Sequence, residues 1–125
     1  MRAIIIDDSR VMRGIIRRIL IGYGFEVSEA GHGLDALEQL KGRQAPELAL
    51  VDWNMPEMNG IDFVVQIRED HDFDSMAIVM VTTESEASQM TRALDSGAND
   101  YLMKPFSKEA LQEKLAGLGF YEPAP

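Results

Sequence analysis

The sequence predicts an α/β protein, a three-layer α/β/α sandwich built on a five-stranded parallel sheet. Two observations carry that prediction. Ile4-Ile5-Ile6, Leu48-Ala49-Leu50-Val51, Ile78-Val79-Met80-Val81 and Tyr101-Leu102-Met103 are short apolar runs, each of which stops at a carboxylate, a hydroxyl or a lysine. Runs of this kind read as strands buried on both faces, as in a parallel sheet. Segments with apolar residues at helical spacing lie between them. Right-handed crossovers then place helices on both sides of the sheet.

The first strand is expected at Arg2–Asp7. A helix near Ser9–Ile21 follows, with Val11, Met12, Ile15, Ile16, Ile19 and Leu20 on one face. Gly22 and Gly24 end it. The second strand is Glu26–Ala30, and the second helix runs near Leu34–Lys41 and stops at Gly42. The third strand is Glu47–Asp52. It leads into the turn-rich loop Asn54-Met55-Pro56-Glu57-Met58-Asn59-Gly60 and a helix near Ile61–Glu69. The fourth strand is Met76–Thr82, and Thr83-Glu84-Ser85-Glu86 reads as a capping box opening a helix that Gly97 ends. The fifth strand is Asp100–Met103. The last helix runs near Ser107–Leu115, with Leu111, Leu115 and Leu118 as its inward stripe. The strand order 2-1-3-4-5 accommodates these five units and puts the switch point between strands 1 and 3.

Composition narrows the function. The chain has 125 residues, the size of one domain. It contains no cysteine, which excludes disulfides, thiolate chemistry and cysteine-ligated zinc. No apolar stretch approaches the length of a membrane span, and no secretory leader precedes the first strand, so a cytoplasmic protein is expected. The net charge of −9 opposes nucleic-acid phosphates. Arg10, Arg13, Arg17 and Arg18 cluster on the first helix and read as a solvated face.

In an open parallel sheet, ligands bind at the carboxyl ends of the strands. Asp7, Asp8, Asp52, Thr82 and Lys104 all stand at such ends and should share one pocket. Taken singly, Asp8 or Ser9 reads as a helix cap, Thr82 as a strand end and Lys104 as a surface lysine. Together they are harder to explain that way. Three carboxylates about 5 Å apart repel by roughly 3 kcal/mol per pair at an effective dielectric near 20. Such a cluster suits a cation. Oxygen donors without His or Cys select Mg²⁺, Mn²⁺ or Ca²⁺, and Mg²⁺ is favoured because it shares a phosphate and keeps its waters. Lys104 offers a point charge and Thr82 a hydroxyl to phosphoryl oxygens.

These residues carry a resemblance. Asp7-Asp8, Asp52-Trp53-Asn54-Met55-Pro56, Val81-Thr82 and Tyr101-Leu102-Met103-Lys104-Pro105, in this order and spacing, resemble the CheY-like receiver domains of two-component response regulators. The resemblance spans nearly the whole chain. It implies a flavodoxin/CheY-like fold, with a single receiver domain over residues 1–119 and a short tail at 120–125. It implies that Asp52 accepts a phosphoryl group from a phosphohistidine on a sensor histidine kinase. Mg²⁺, with Mn²⁺ able to substitute, would be held by Asp8, Asp52 and the backbone carbonyl of Asn54, while Asp7 acts mainly through water. Thr82 and Lys104 would grip the phosphoryl group, Tyr101 would change rotamer, and the Lys104–Pro105 bond would be cis. Asn54 and Glu84 would border the hydrolytic water and tune the phosphoryl lifetime, and the pair implies fast autodephosphorylation. The output partner, an unknown protein, would bind near helix 4, strand 5 and helix 5, where Met90, Ala98 and Tyr101 are candidates for its groove. No membrane or nucleic-acid partner is implied, and a monomer is expected.

The leading reading is a chemotaxis-like signalling switch and not an enzyme. A phosphotransfer intermediate in a multistep relay shares the chemistry and stays open as the alternative. An aspartyl-phosphate phosphatase would place a second carboxylate two residues after the nucleophile, where this chain has Asn54. A flavodoxin-like cofactor carrier would need a phosphate-binding loop where the acid pair stands.

Overall fold

The computed structural model describes residues 1–83 and 87–120. The chain runs β1 (Arg2–Ile6), α1 (Arg10–Gly22), β2 (Glu26–Ala30), α2 (Gly33–Leu40), β3 (Leu48–Asp52), α3 (Gly60–Arg68), β4 (Ala77–Thr82), α4 (Ala87–Asp95), β5 (Asp100–Met103) and α5 (Lys108–Gly117). A single 3-10 turn, His71–Phe73, stands between α3 and β4 and was not foreseen. The strands pair in parallel in the order β2-β1-β3-β4-β5, so β1 and β3 are the neighbours whose crossovers leave in opposite directions. The capping box expected at Thr83–Glu86 and the tail at 120–125 lie partly outside the described residues.

The central strands are buried on both faces, which is why they read as unbroken apolar runs. Their side chains nevertheless alternate. Ile4, Ile6, Ala49, Val51, Ile78 and Met80 face α2, α3 and α4, where they meet Ala36, Phe63, Val64, Ile67 and Ala93. Ala3, Ile5, Leu48, Leu50, Val79 and Val81 face α1 and α5, where they meet Ile16, Leu20, Leu111 and Leu115. The expected inward face of α1 was too wide. Ile16 and Leu20 are buried, but Val11 is 75% and Ile15 47% exposed. A helix resting on one side of a sheet buries a narrow stripe, and these two residues fall at its margin.

Helix caps set where the connections turn. Ser9 Oγ accepts from Met12 N at 3.1 Å, Asn59 Oδ1 from Asp62 N at 2.9 Å and Ser107 Oγ from Ala110 N at 3.0 Å. His32 caps α2 through Nδ1, which accepts from Asp35 N at 3.1 Å. One glycine is required by close approach. A Cβ on Gly60 would collide with the Asp52 carbonyl oxygen, so only glycine lets α3 start against the end of β3. Arg68, at the end of α3, donates to the carbonyls of Gly97, Phe73 and Met76 at 3.0, 2.6 and 2.8 Å and fastens the lower ends of β4 and β5 to that helix.

Candidate functional site

β1, β3, β4 and β5 end together, and their terminal side chains form the site. Asp7 follows β1 and is buried at 1% exposure, Asp52 closes β3 at 6%, and Thr82 closes β4 at 2%. Asp8 is exposed at the mouth. One carboxylate oxygen from each of Asp7, Asp8 and Asp52 lies within 4.8 Å of the others. Lys104, just after β5, reaches across to them. Its Nζ is 2.9 Å from Asp7 Oδ2 and 3.4 Å from Asp52 Oδ1. The Lys104–Pro105 bond is cis, and Lys104 N donates to Thr82 O at 2.7 Å.

The two buried acids have different surroundings. Both oxygens of Asp7 are engaged, Oδ1 accepting from Ser9 N at 2.8 Å and Oδ2 from Lys104 Nζ. For Asp52, burial and the neighbouring charge of Asp7 push the carboxyl pKa up to about 6, against the opposing pull of Lys104. Burial by itself would lower the Lys104 ammonium. The hydrogen bond to Asp7 and the charges of Asp52 and Asp7 outweigh it and hold Lys104 above the ordinary lysine value.

The donor set fits a hard divalent cation. It is oxygen only, two of its acids are buried, and the third opens to water. Among the described residues, Lys104 forms ion pairs with two of the three carboxylates, Asp7 and Asp52. Clefts of about 220 and 240 Å³ lie away from the site, one beside Arg2 and Arg43 and one between Leu37, Ile67 and Phe73.

Asp7, Asp8, Asp52, Thr82 and Lys104 stand at or just after the ends of β1, β3, β4 and β5. Asn54 is exposed in the loop after β3, and its backbone N–H works against burial by favouring the ionised Asp52 carboxylate. Trp53 and Met55 pack into the core at 8% and 9% exposure. Tyr101 is half-buried beyond Lys104, with Lys114 Nζ 4.8 Å from its ring centre. Glu84 lies outside the described residues. Ala98 corrects the expected groove. It is 7% exposed and packed in the core on the α4 side, so it offers no surface to a partner.

One residue of the site was missed. Arg13 was grouped with a solvated arginine face, but it is half-buried, and its Nη1 donates to the backbone carbonyl of Asp7 at 2.6 Å. The missing signal was an acidic partner on another element, since Glu29 at the end of β2 holds its Nε at 3.0 Å.

A five-stranded parallel sheet in this order, with acids at its switch point and a lysine after β5, defines a receiver of the phosphorylation-switch class. The comparisons agree. The response regulator receiver domain family matches residues 3–116, and the chain belongs to that family. It is 43% identical over 116 residues to the chemotaxis protein CheY1 of Helicobacter pylori strain J99, covering 92% of this chain and 94% of that one. It is 39% identical to the chemotaxis protein CheY-3 of Vibrio cholerae, covering 92% of this chain and 88% of that one. The solved structure of the chemotaxis response regulator CheY4 of Vibrio cholerae superposes with a TM-score of 0.87 at 30% identity, covering 94% of this chain and 97% of that one. The chain is thus a CheY-like response regulator receiver of a two-component system.

Proposed function

We propose that the chain accepts a phosphoryl group on Asp52 from the phosphohistidine of a sensor kinase and, so modified, binds an output protein as chemotaxis regulators do. The observation that carries the assignment is the setting of Asp52, a buried carboxylate at the switch point, 3.4 Å from a lysine and beside two further acids. With its pKa near 6, Asp52 is ionised roughly ten to one at pH 7 and more basic than an ordinary carboxylate. An Asp52 oxygen forms the new bond to phosphorus as the phosphorus–nitrogen bond breaks, and the electron pair leaves with the imidazole. Lys104 and the Thr82 hydroxyl receive the phosphoryl oxygens.

Asp8, Asp52 and the Asn54 carbonyl are the residues that would hold Mg²⁺, or Mn²⁺ in its place. Asp7 is supported as an indirect contributor because both its oxygens are already engaged. Bound Mg²⁺ supplies charge neutralisation for the phosphoryl oxygens. The protein labels itself and loses the label, with Asn54 and Glu84 tuning its lifetime as the family resemblance implies, so it works as a switch and not as a turnover enzyme. Because a phosphohistidine is made from ATP, the reading carries a cytoplasmic location with it.

The output face is read at α4, β5 and α5. Met103 and Leu94 are 43% and 46% exposed there, and Lys114 Nζ lies 4.8 Å from the Tyr101 ring centre. When Asp52 is phosphorylated, Lys104 turns to the phosphoryl oxygens, and the ring of Tyr101 follows. Phosphorylation thereby biases two conformations that the partner distinguishes.

The test is intact mass after incubation with acetyl phosphate. One phosphoryl adduct is expected in Mg²⁺ and none in EDTA or in Asp52→Asn. Equal labelling of that variant sinks the site assignment. Amide shifts on adding beryllofluoride should reach α4 and β5, and shifts confined to the pocket sink the switch.

A further inference from the structure

We propose that Arg13 is a positioning residue for the acid pair, holding the Asp7–Asp8 peptide in the orientation that divalent-cation binding at Asp8 requires. The proposal rests on Asp8 being a cation ligand. β1 ends at Ile6, so the Asp7 carbonyl lies beyond the last strand residue. Arg13 Nη1 donates to that carbonyl at 2.6 Å. The Asp7 carbonyl belongs to the planar unit that joins Asp7 to Asp8, so fixing the oxygen fixes the plane from which Asp8 departs. The rest of the local frame is set separately. Asp7 N donates to Ala30 O at 3.1 Å, and Ser9 N donates to Asp7 Oδ1 at 2.8 Å. Arg13 thus supplies the hold on the peptide directly before the exposed acid.

The guanidinium is itself held. Its Nε donates to Glu29 Oε1 at 3.0 Å, and Glu29 Oε2 also accepts from Arg17 Nη1 at 2.9 Å. The Glu29 carbonyl accepts from Gln39 Nε2 at 2.9 Å, which ties the end of β2 to α2. Gly31 passes 3.8 Å from Arg13 Nη1 at the position where a Cβ would stand, so the arginine lies along bare backbone. A planar fork can serve a carboxylate and a carbonyl at once, which a single ammonium cannot do with the same geometry.

Charge and positioning predict opposite signs. Removing a cation beside three acids strengthens Mg²⁺ binding if Arg13 acts only through its charge. It weakens binding if Arg13 orients Asp8. Arg17 is the internal control, because it shares Glu29 and, among the described residues, makes no bond to Asp7.

The experiment is calorimetric titration of the full chain with MgCl₂, alongside melting in EDTA. Arg13→Met is expected to bind Mg²⁺ roughly tenfold more weakly than the parent, the scale of losing a group that orients a metal ligand. Arg13→Lys, which keeps the charge, should also bind more weakly, and Arg17→Met should bind as the parent does. Parent-like or tighter binding by both Arg13 variants overturns the proposal and leaves the Asp8 assignment standing. If Arg13→Met does not fold, Arg13→Lys decides by the same criterion. Absence of Mg²⁺ binding by the parent overturns both the proposal and the ligand assignment.

Discussion

At the scale of single residues, the site is under electrostatic stress that the apo protein carries alone. Asp52 has a folded pKa near 6 against an unfolded value near 3.8. A carboxyl with a raised folded pKa costs stability above that value and regains it as pH falls toward the unfolded one. Asp52→Asn in EDTA should therefore be more stable than the parent at pH 7, by about 1–3 kcal/mol. The gap should narrow between pH 6 and 4. Denaturant titrations of both proteins across that range check it, and a gap that widens toward pH 4 refutes it. Lys104 works in the opposite direction. It is the cation paired with the buried Asp7, and Lys104→Ala leaves that charge without its ammonium. The variant should fold but lose about 1–3 kcal/mol in EDTA, short of the full cost of breaking a buried pair because Asp7 keeps its bond from Ser9 N. Mg²⁺ should raise its melting temperature more than the parent's, since the cation no longer competes with the ammonium. Equal increments in a melting series would show that Lys104 does not oppose the metal.

At the scale of elements, glycines separate what packing forbids from what it permits. Gly60→Ala forces a methyl group into the Asp52 carbonyl and within 3.0 Å of Trp53 Cα, so the start of α3 must move. A loss of about 1–3 kcal/mol is expected. Gly14, inside α1, meets nothing within 4 Å of an added Cβ, and Gly14→Ala should gain about 0.5–1 kcal/mol from helix propensity. Chemical denaturation of the pair tests both signs. The same contrast explains what was legible in the sequence. All five strands were found, Glu26–Ala30 and Asp100–Met103 to the residue, and for β1, β3 and β4 the signal was burial on both faces, which leaves an apolar run with a polar stop. The gathering of Asp7, Asp52, Thr82 and Lys104 followed, since strand ends in a parallel sheet share one edge. The face of α1 was misjudged at Val11 and Ile15 because periodicity gives an apolar arc and not its buried width. The turn at His71–Phe73 was too short to show a period, and the reach of Arg13 to Asp7 depends on Glu29, a residue on another element. Ala98 was a groove candidate only through the family resemblance, and a small residue carries no mark of its own burial in the sequence.

At the scale of the whole molecule, the acid cluster couples cation binding to folding. The chain carries a net charge of −9, and three of its acids converge where one lysine answers them. A cation that binds there and not to the unfolded chain stabilises the fold by RT ln(1 + [L]/Kd), on the order of 1.4 kcal/mol at about ten times Kd. For a domain of this size the melting temperature should rise by about 3–8 °C. The effect should depend on the cluster and not on general screening, so equal ionic strength supplied as NaCl should give a smaller rise. Asp8→Ala removes the exposed acid while leaving Asp7 and Lys104 paired. That variant should melt higher than the parent in EDTA, because one repulsion is gone, and respond little to Mg²⁺. A melting series in EDTA, NaCl, MgCl₂ and CaCl₂ for the two proteins measures both effects. If Mg²⁺ leaves the parent unmoved and Asp8→Ala melts lower in EDTA, the acids serve as helix caps and not as a cation site. If both respond alike to Mg²⁺, the cation acts on the acidic surface as a whole and Asp8 is not its ligand.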